Sequence, residues 1–319
     1  MDSMQILDKI NTIVVSEGDY CIFNCDEGKS FFGKDKDNNA VFILPSYSVN
    51  TPSITQETKS LKFALNRRCT FLLNGSVEIR ILHLLTCKEQ ESEKLLAFIR
   101  LTRAFSVSDA EKDQYFLAKL FSSISALFEK KIQVSEMELQ GLFAELYAIM
   151  HFMKLGCDIG RNWQSMNKMK FDFSISEKKR IEVKSTLKQI RSHHFKHEQL
   201  LSELYDIKIV SMLLRKNDYG ISLGDMIKMI REHYQDNYPL LIHIESLVFH
   251  IDQEQLNVTK YDEVFLKENI KYFDAKDVPH FNEKTPDGVY NAEYDCTLDS
   301  IPSISECDML DWIGGYQDV

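Results

Sequence analysis

Over the first quarter of the chain, apolar and polar residues alternate in short runs; longer stretches with helical spacing then take over. Residues 4–15 predict a short helix. From Tyr20 to about Ile81, runs such as "DYCIF", "AVFILP", "CTFLL" and "VEIRILHLL" read as strands, separated by the turn-forming "DEGKS" and "DKDNN". This stretch predicts an antiparallel β module, a small barrel or sandwich. Helical spacing follows over residues 88–103 and about 111–130, where Tyr115, Phe116, Leu120, Ile124 and Leu127 recur near a 3.6-residue period. The clearest helix covers residues 135–155. Ser135 followed three residues later by Glu138 is a capping-box signal, and Gly156 is a natural stop. Leu139, Leu142, Phe143, Leu146, Ile149, Met150 and Met153 are expected to form its buried stripe. Glu145 lies beside that stripe, where a carboxylate is costly unless it is paired, hydrogen-bonded or bound to a cation.

The period shortens to two in "KFDFSISEKKRIEVKST", residues 170–186. Phe171, Phe173 and Ile175 fall on one face of a first strand, with Asp172 and Ser174 on the other. In a second strand Ile181 and Val183 share a face, and Glu182 and Lys184 the opposite one. The turn "SEKKR" makes the pair a hairpin, with its apolar rows expected inward and Asp172, Glu182 and Lys184 pointing together into a cleft. A helix is expected over 196–205, a core strand in "YDIKIVSMLLR" (205–215) and a helix in "SLGDMIKMIREHY" (222–234). The expected class is α/β (α+β), with a mixed central sheet flanked by helices. Three parts are expected: an N-terminal β-rich module over 1–105, a core over 106–215 and a C-terminal α+β lobe over 216–319.

Bulk properties narrow the function classes. Nothing in "MDSMQILDKI" resembles a signal peptide, and no apolar run approaches the ~18 residues of a membrane span. A cytoplasmic protein is expected. Seven cysteines at irregular spacing support neither a zinc site nor a disulfide scaffold. The net charge of −10 argues against a freely nucleic-acid-binding surface. The charge is uneven, however: residues 161–200 carry ten Lys/Arg against four acids, so +6 sits there and −16 elsewhere. This basic excess surrounds the acidic hairpin and forms a local electrostatic footprint.

Two acids and a lysine in the order D-(x)9-E-x-K are a signature of metal-dependent phosphodiester cleavage. Carboxylates suit a hard divalent ion such as Mg²⁺, with Mn²⁺ a possible substitute. Asp172 and Glu182 would clamp the ion, and the Val183 carbonyl would be a natural further ligand. Lys184, two residues beyond Glu182, would orient the attacking water and stabilise developing charge. His243 and His250 sit seven residues apart in apolar surroundings and read as core or edge histidines rather than ligands. Trp163 and Phe171 read as core or wall.

"FDF…IEVKST", preceded by a helix bearing "GLFAEL", resembles the PD-(D/E)XK nuclease superfamily. The resemblance implies a restriction-endonuclease-like core, a divalent-metal site and DNA phosphodiester hydrolysis. Asp172 matches the first acid, although Phe171 stands where the family's Pro would be. Glu182 and Lys184 match the E-x-K pair, and Glu145 the helix glutamate that often completes the metal site. The downstream "RSHHFKHEQL" and the late "DVPHF…TPDGVYNAEYDCTL" resemble a bacterial group of PD-(D/E)XK motif proteins associated with restriction–modification and phage-defence operons. In that group Arg191 would grip a phosphate, His193 would contact phosphate or water, and Gln199 would orient a ligand or read a base edge. Lys179 and Arg180, at the hairpin tip, would meet a DNA backbone. The expected partners are double-stranded DNA and either a second copy or other subunits of a defence complex, with no membrane. Two rival expectations are a non-catalytic assembly or DNA-binding module with a nuclease fold, and a repair or recombination nuclease.

Overall fold

A computed structural model of the chain describes residues 1–15, 18–26, 29–46, 53–73, 76–108, 114–129, 134–163, 171–200, 204–249, 251, 253–281 and 292–314. Lys168, Lys170, His250 and all of "TPDGVYN" lie outside these residues, as does part of the helix expected over 196–205. The chain starts with α1 (Ser3–Thr12) and strands β1 (Tyr20–Asn24), β2 (Phe31–Asp35), β3 (Ala40–Pro45), β4 (Ile54–Glu57), β5 (Leu61–Leu73) and β6 (Ser76–Cys87). Helices α2 (Ser92–Val107), α3 (Gln114–Glu129) and α4 (Glu136–Lys154) come next. They are followed by β7 (Phe173–Ser174), β8 (Lys179–Thr186), β9 (Ser192–Lys196), α5 (His197–Leu200), β10 (Asp206–Leu213) and β11 (Lys216–Ser222). The remainder comprises α6 (Leu223–His233), α7 (Tyr238–Val248), α8 (Gln253–Val258), β12 (Lys260–Tyr261), α9 (Glu263–Glu268), β13 (Ile270–Asp274), β14 (Glu293–Thr297) and α10 (Glu306–Ile313).

By contact the chain divides into two units, each built from two stretches: residues 1–131 with 234–250, and residues 132–233 with 251–319. The first unit is an antiparallel sheet in the order β1-β2-β3-β6-β5-β4. Its register follows the two-residue period. Phe32, Phe42, Leu85 and Phe63 line up across neighbouring strands and belong to the same cluster as residues of α1, α2 and α3. Phe31, Ile43, Leu84 and Ala64 line up on the opposite face in a smaller cluster. The barrel or sandwich expected here is instead one sheet backed by helices, because the apolar stripes of α2 and α3 occupy the face a second sheet would cover. Phe63 and Phe121 stack at 5.4 Å between sheet and α3. Although α7 comes late in the chain, it belongs to this unit. Arg100 on α2 donates to buried Glu245 at 2.7 Å, Leu241 joins the cluster, and Phe249, which caps α7, stacks on Phe128.

The second unit has a mixed sheet ordered β13-β10-β8-β7, with β8 and β10 parallel and both outer pairs antiparallel. Along one face Val183, Val210 and Tyr272 form a row toward α4; Tyr272 meets Phe152 at 5.8 Å and its hydroxyl is 2.7 Å from His151 Nε2. Along the other face Glu182 lines up with Ile209 and Phe273. Phe195, Leu200 and Leu298 pack with those two apolar residues. Both faces of this sheet are therefore covered, as is usual where parallel pairing occurs. Strand β9 pairs with β14, which ties the late part of the chain to the core. This mixed, two-faced sheet is consistent with a restriction-endonuclease-like α/β fold. Among the described residues, no helix is long and apolar enough to cross a membrane.

Candidate active site

The helix α4 is fixed at its start by the Ser135–Glu138 capping box, whose two reciprocal hydrogen bonds are both made. Gly156 follows its end at φ 84°, in the left-handed region. Glu145 projects from its middle. Asp172 stands one residue before β7, and continuing the Phe173–Ile181 register places it opposite Glu182. Its Oδ2 accepts the Val183 backbone N–H at 2.7 Å, so the side chain takes over where the β7 ladder has ended. In extended chain a residue's N–H and C=O leave the same strand edge, so the Val183 carbonyl faces this side too.

Glu182 is 3% exposed. Its Oε1 accepts from Lys184 Nζ at 2.8 Å and from Gln199 Nε2. Gln199 Oε1 in turn accepts from Lys184 Nζ at 3.3 Å and from the Lys196 N–H at 3.0 Å. Glu182 Oε2 is fully buried and has no hydrogen-bond partner among the described residues. Glu145 Oε2 accepts the Trp163 indole N–H at 2.7 Å. Each acid is thus pinned through one oxygen and keeps the other.

The electrostatics follow from crowding three acids around one lysine. Burial pushes Asp172 well above the usual carboxylate range, and the charges of Glu182 and Glu145 add to the shift. Glu145 is pushed up to about 7, first by burial, against the Trp163 hydrogen bond. Glu182 is also raised by burial, with Lys184 and Gln199 opposing. The site therefore binds protons in the absence of another cation, and a cation would relieve the same strain.

The residues present fit a divalent ion. The orphaned Glu182 Oε2 is an oxygen donor whose burial leaves its bonding capacity unmet. Asp172 Oδ1 and Glu145 Oε1 accept no hydrogen bond from the described residues. Among the described residues, no group of three His, Cys, Asp or Glu side chains is already drawn together around one point as a closed metal cage.

The other residues singled out from the sequence fall into two groups. Gln199 joins the site, bridging Glu182 and Lys184. Arg191 is 2% exposed, and its guanidinium donates to the Ser211 carbonyl, Ser211 Oγ and the Asn269 carbonyl. His193 is buried with Nε2 2.7 Å from the same Ser211 Oγ and is pushed down to about 4, first by burial and then by Lys184 and Arg191. Ser211 is the β10 residue paired with Lys184, so this network braces the sheet behind the lysine. Arg191 and His193 are interior here and offer no surface to a phosphate. Lys179 Nζ donates to the Trp312 carbonyl. Arg180 closes the β7–β8 turn by donating to the Ser176, Glu177 and Lys179 carbonyls, and it lies 4.2 Å over the Tyr205 ring. Arg191→Ala is expected to cost about 3 kcal/mol, because the buried Ser211 carbonyl and hydroxyl and the part-buried Asn269 carbonyl lose a charged donor. Denaturant unfolding measures that loss. A phosphate contact would instead appear as a smaller salt dependence of DNA affinity.

Sequence reasoning missed two contributors. Trp163 has no local signal, since its partner lies 18 residues earlier on another element. Lys196 was visible only as one charge in the basic window; it is exposed, and its charge helps keep Glu182 ionised.

A family model described as "Putative PD-(D/E)XK family member, (DUF4420)" matches residues 22–299, most of the chain. The chain belongs to that family. Comparison with curated proteins and with solved structures gives no match. Membership in the PD-(D/E)XK family indicates a nuclease, a class that generally uses divalent metals. The matched span takes in all four residues that the sequence signature and its helix partner bring together, Glu145, Asp172, Glu182 and Lys184.

Proposed function

We propose that this protein is a Mg²⁺-dependent endonuclease that hydrolyses phosphodiester bonds of double-stranded DNA. The observation that carries the reading is the unpartnered Glu182 Oε2, buried beside Asp172 and Glu145 with Lys184 on the same strand face. Asp172 and Glu182 would hold the ion, with Glu145 and the Val183 carbonyl completing its surroundings. When bound, the ion would offset the charge of a scissile phosphate and acidify a water.

The chain's own residues supply the rest. Gln199 holds Glu182 and Lys184 in one fixed relation, so neither has to reorganise during the reaction. Lys184 carries the positive charge toward the oxygen on which negative charge develops. Lys196, exposed and close enough for its charge to act on Glu182, attracts the nucleic-acid backbone. The net charge of −10 leaves little general affinity for DNA, which favours target recognition through a second copy or a partner subunit. A cytoplasmic restriction–modification or phage-defence setting rests on the resemblance of "RSHHFKHEQL" to that bacterial group.

The test is cleavage of plasmid DNA with Mg²⁺ or Mn²⁺, methylated and unmethylated, with and without the products of neighbouring genes. Asp172→Asn is expected to slow cleavage by about 10³-fold or more while the protein stays folded, since several kcal/mol of charge stabilisation depend on the ion. Cleavage by Asp172→Asn at the parent rate would sink the reading.

A further inference from the structure

Helix α4, which carries Glu145, and strand β7, which follows Asp172, have no hydrogen-bond ladder in common. One short segment links them. Residues Gly160–Asn162 form a 3-10 turn that Trp163 caps. The Gly160 N–H donates to Asp158 Oδ1 at 3.0 Å, which sets the turn. Asn162 Nδ2 donates to the Ser174 carbonyl at 3.0 Å, and the Trp163 backbone bridges Phe173 in antiparallel fashion. The segment is thus stitched to both residues of β7. From this anchored backbone the Trp163 side chain, 7% exposed, reaches the other way and donates to Glu145 Oε2.

We propose that Trp163 is a positioning residue that locks Glu145 in register with Asp172 and presents Glu145 Oε1 to a divalent cation. The inference rests on the reading of the three acids as a cation site.

The chemistry of the indole gives the contact a fixed sense. Trp Nε1 can only donate, so the Glu145 oxygen facing it is the acceptor and the other, Oε1, keeps its full bonding capacity for a proton or cation. A glutamate on a helix has three rotatable side-chain bonds, and this is the one hydrogen bond that Glu145 makes among the described residues. Without it, the carboxylate would have to be ordered by the ion itself, and affinity would fall. The main-chain bridge to Phe173 lies one residue from Asp172, so the same side chain sets the relation between two acids that come from different elements. Groups that orient a metal's ligands in this way typically change metal affinity about 10- to 100-fold when removed.

The chain has two tryptophans, which makes the contact observable. Trp312 donates its indole N–H to Asp206, and Trp312→Phe leaves Trp163 as the sole tryptophan, to be excited selectively over the tyrosines. Titrating Mg²⁺ into the Trp312→Phe protein is expected to change Trp163 emission with the half-saturation that calorimetry gives for the same protein. Adding Glu145→Gln should abolish that change. Trp163→Phe is expected to bind Mg²⁺ about tenfold more weakly or worse, while keeping a cooperative melt. If Trp163→Phe fails to fold, the emission titration with and without Glu145→Gln decides alone. Parent affinity in a folded Trp163→Phe protein would overturn the inference. Trp163 emission indifferent to Mg²⁺ that calorimetry shows to be bound would overturn it too. Both results leave the nuclease reading standing. Absence of any Mg²⁺ or Mn²⁺ binding to the parent protein at millimolar metal would remove both together.

Discussion

A Lys184→Met protein is expected to cleave DNA about 10²–10³-fold more slowly than the parent at saturating metal, the range seen when one preorganised charge-stabilising donor is removed. Methionine keeps an unbranched side chain beside Phe195, whose ring centre lies 5.2 Å from Lys184 Nζ. It removes the ammonium and puts a thioether sulfur in place of one methylene. Two consequences follow, and pH separates them. The first is loss of positive charge where the leaving or attacking oxygen becomes negative, which no change of pH restores. The second is that Glu182, buried and already raised by desolvation, loses the charge that most opposes the shift. Its proton is then harder to remove, and that part of the defect is recovered as pH rises. Single-turnover nicking of supercoiled plasmid near pH 7 and pH 9 should therefore show a partial rescue that stops well short of parent activity. Lys184→Arg is expected to fall between the two, because a planar guanidinium cannot occupy the same compact position between Glu182 Oε1 and Gln199 Oε1. Rates within about threefold of the parent at both pH values would show that Lys184 serves only to pair Glu182.

The parts of this site that could be read from the sequence were those encoded in short-range periodicity. The two-residue alternation put Glu182 and Lys184 on one face of a strand and Asp172 on the matching face of its neighbour, and the β7–β8 pairing has that parity. The capping box announced α4, and Glu145's place beside a buried stripe marked it as a carboxylate in need of a partner. What was not legible depends on contacts remote in sequence. The face carrying Glu182 was expected to open into a cleft. It is roofed by Phe195, Leu200 and Leu298, and their positions are set by β9 pairing with a strand a hundred residues later. Arg191 looked like a surface cation because it stands in a basic run. Its burial comes from Ser211 and Asn269, on elements whose arrangement only the β10 and β13 pairing establishes. The same limit hid the return of α7 to the first unit, since nothing local to residues 238–248 encodes Arg100 as a partner.

Without divalent metal, the stability that Glu145 lends the second unit is expected to be lost as pH rises from about 4.5 through about 7, and added Mg²⁺ should restore it above that range but not below. The sign follows from Glu145. Its pKa in the folded protein is about 7, against an ordinary value of 4.5, so the folded state holds a proton that the unfolded chain has already released. Stability from that proton is complete below the unfolded pKa and is lost as pH climbs through the folded one, on the order of 3 kcal/mol over the window. Asp172 and Glu182 are shifted in the same direction and add to the slope. Two buried histidines of the same unit act oppositely. His151 and His193 are both held down to about 4, so they destabilise the fold as pH falls from about 6.5 toward 4. Raw unfolding curves of the parent therefore mix two opposing slopes. Comparison with Glu145→Gln isolates the acid: glutamine keeps an oxygen for Trp163 but has no proton to lose. The parent minus variant difference in unfolding free energy should fall with rising pH across this window. Mg²⁺ at about 100 times its dissociation constant should stabilise the parent at pH 8 by about 2.7 kcal/mol, and stabilise it little at pH 5, where protons hold the same oxygens. A flat difference between parent and Glu145→Gln, together with equal Mg²⁺ effects at both pH values, would mean that the three acids do not share one field. The reading of this crowding as a cation site would then have to be abandoned.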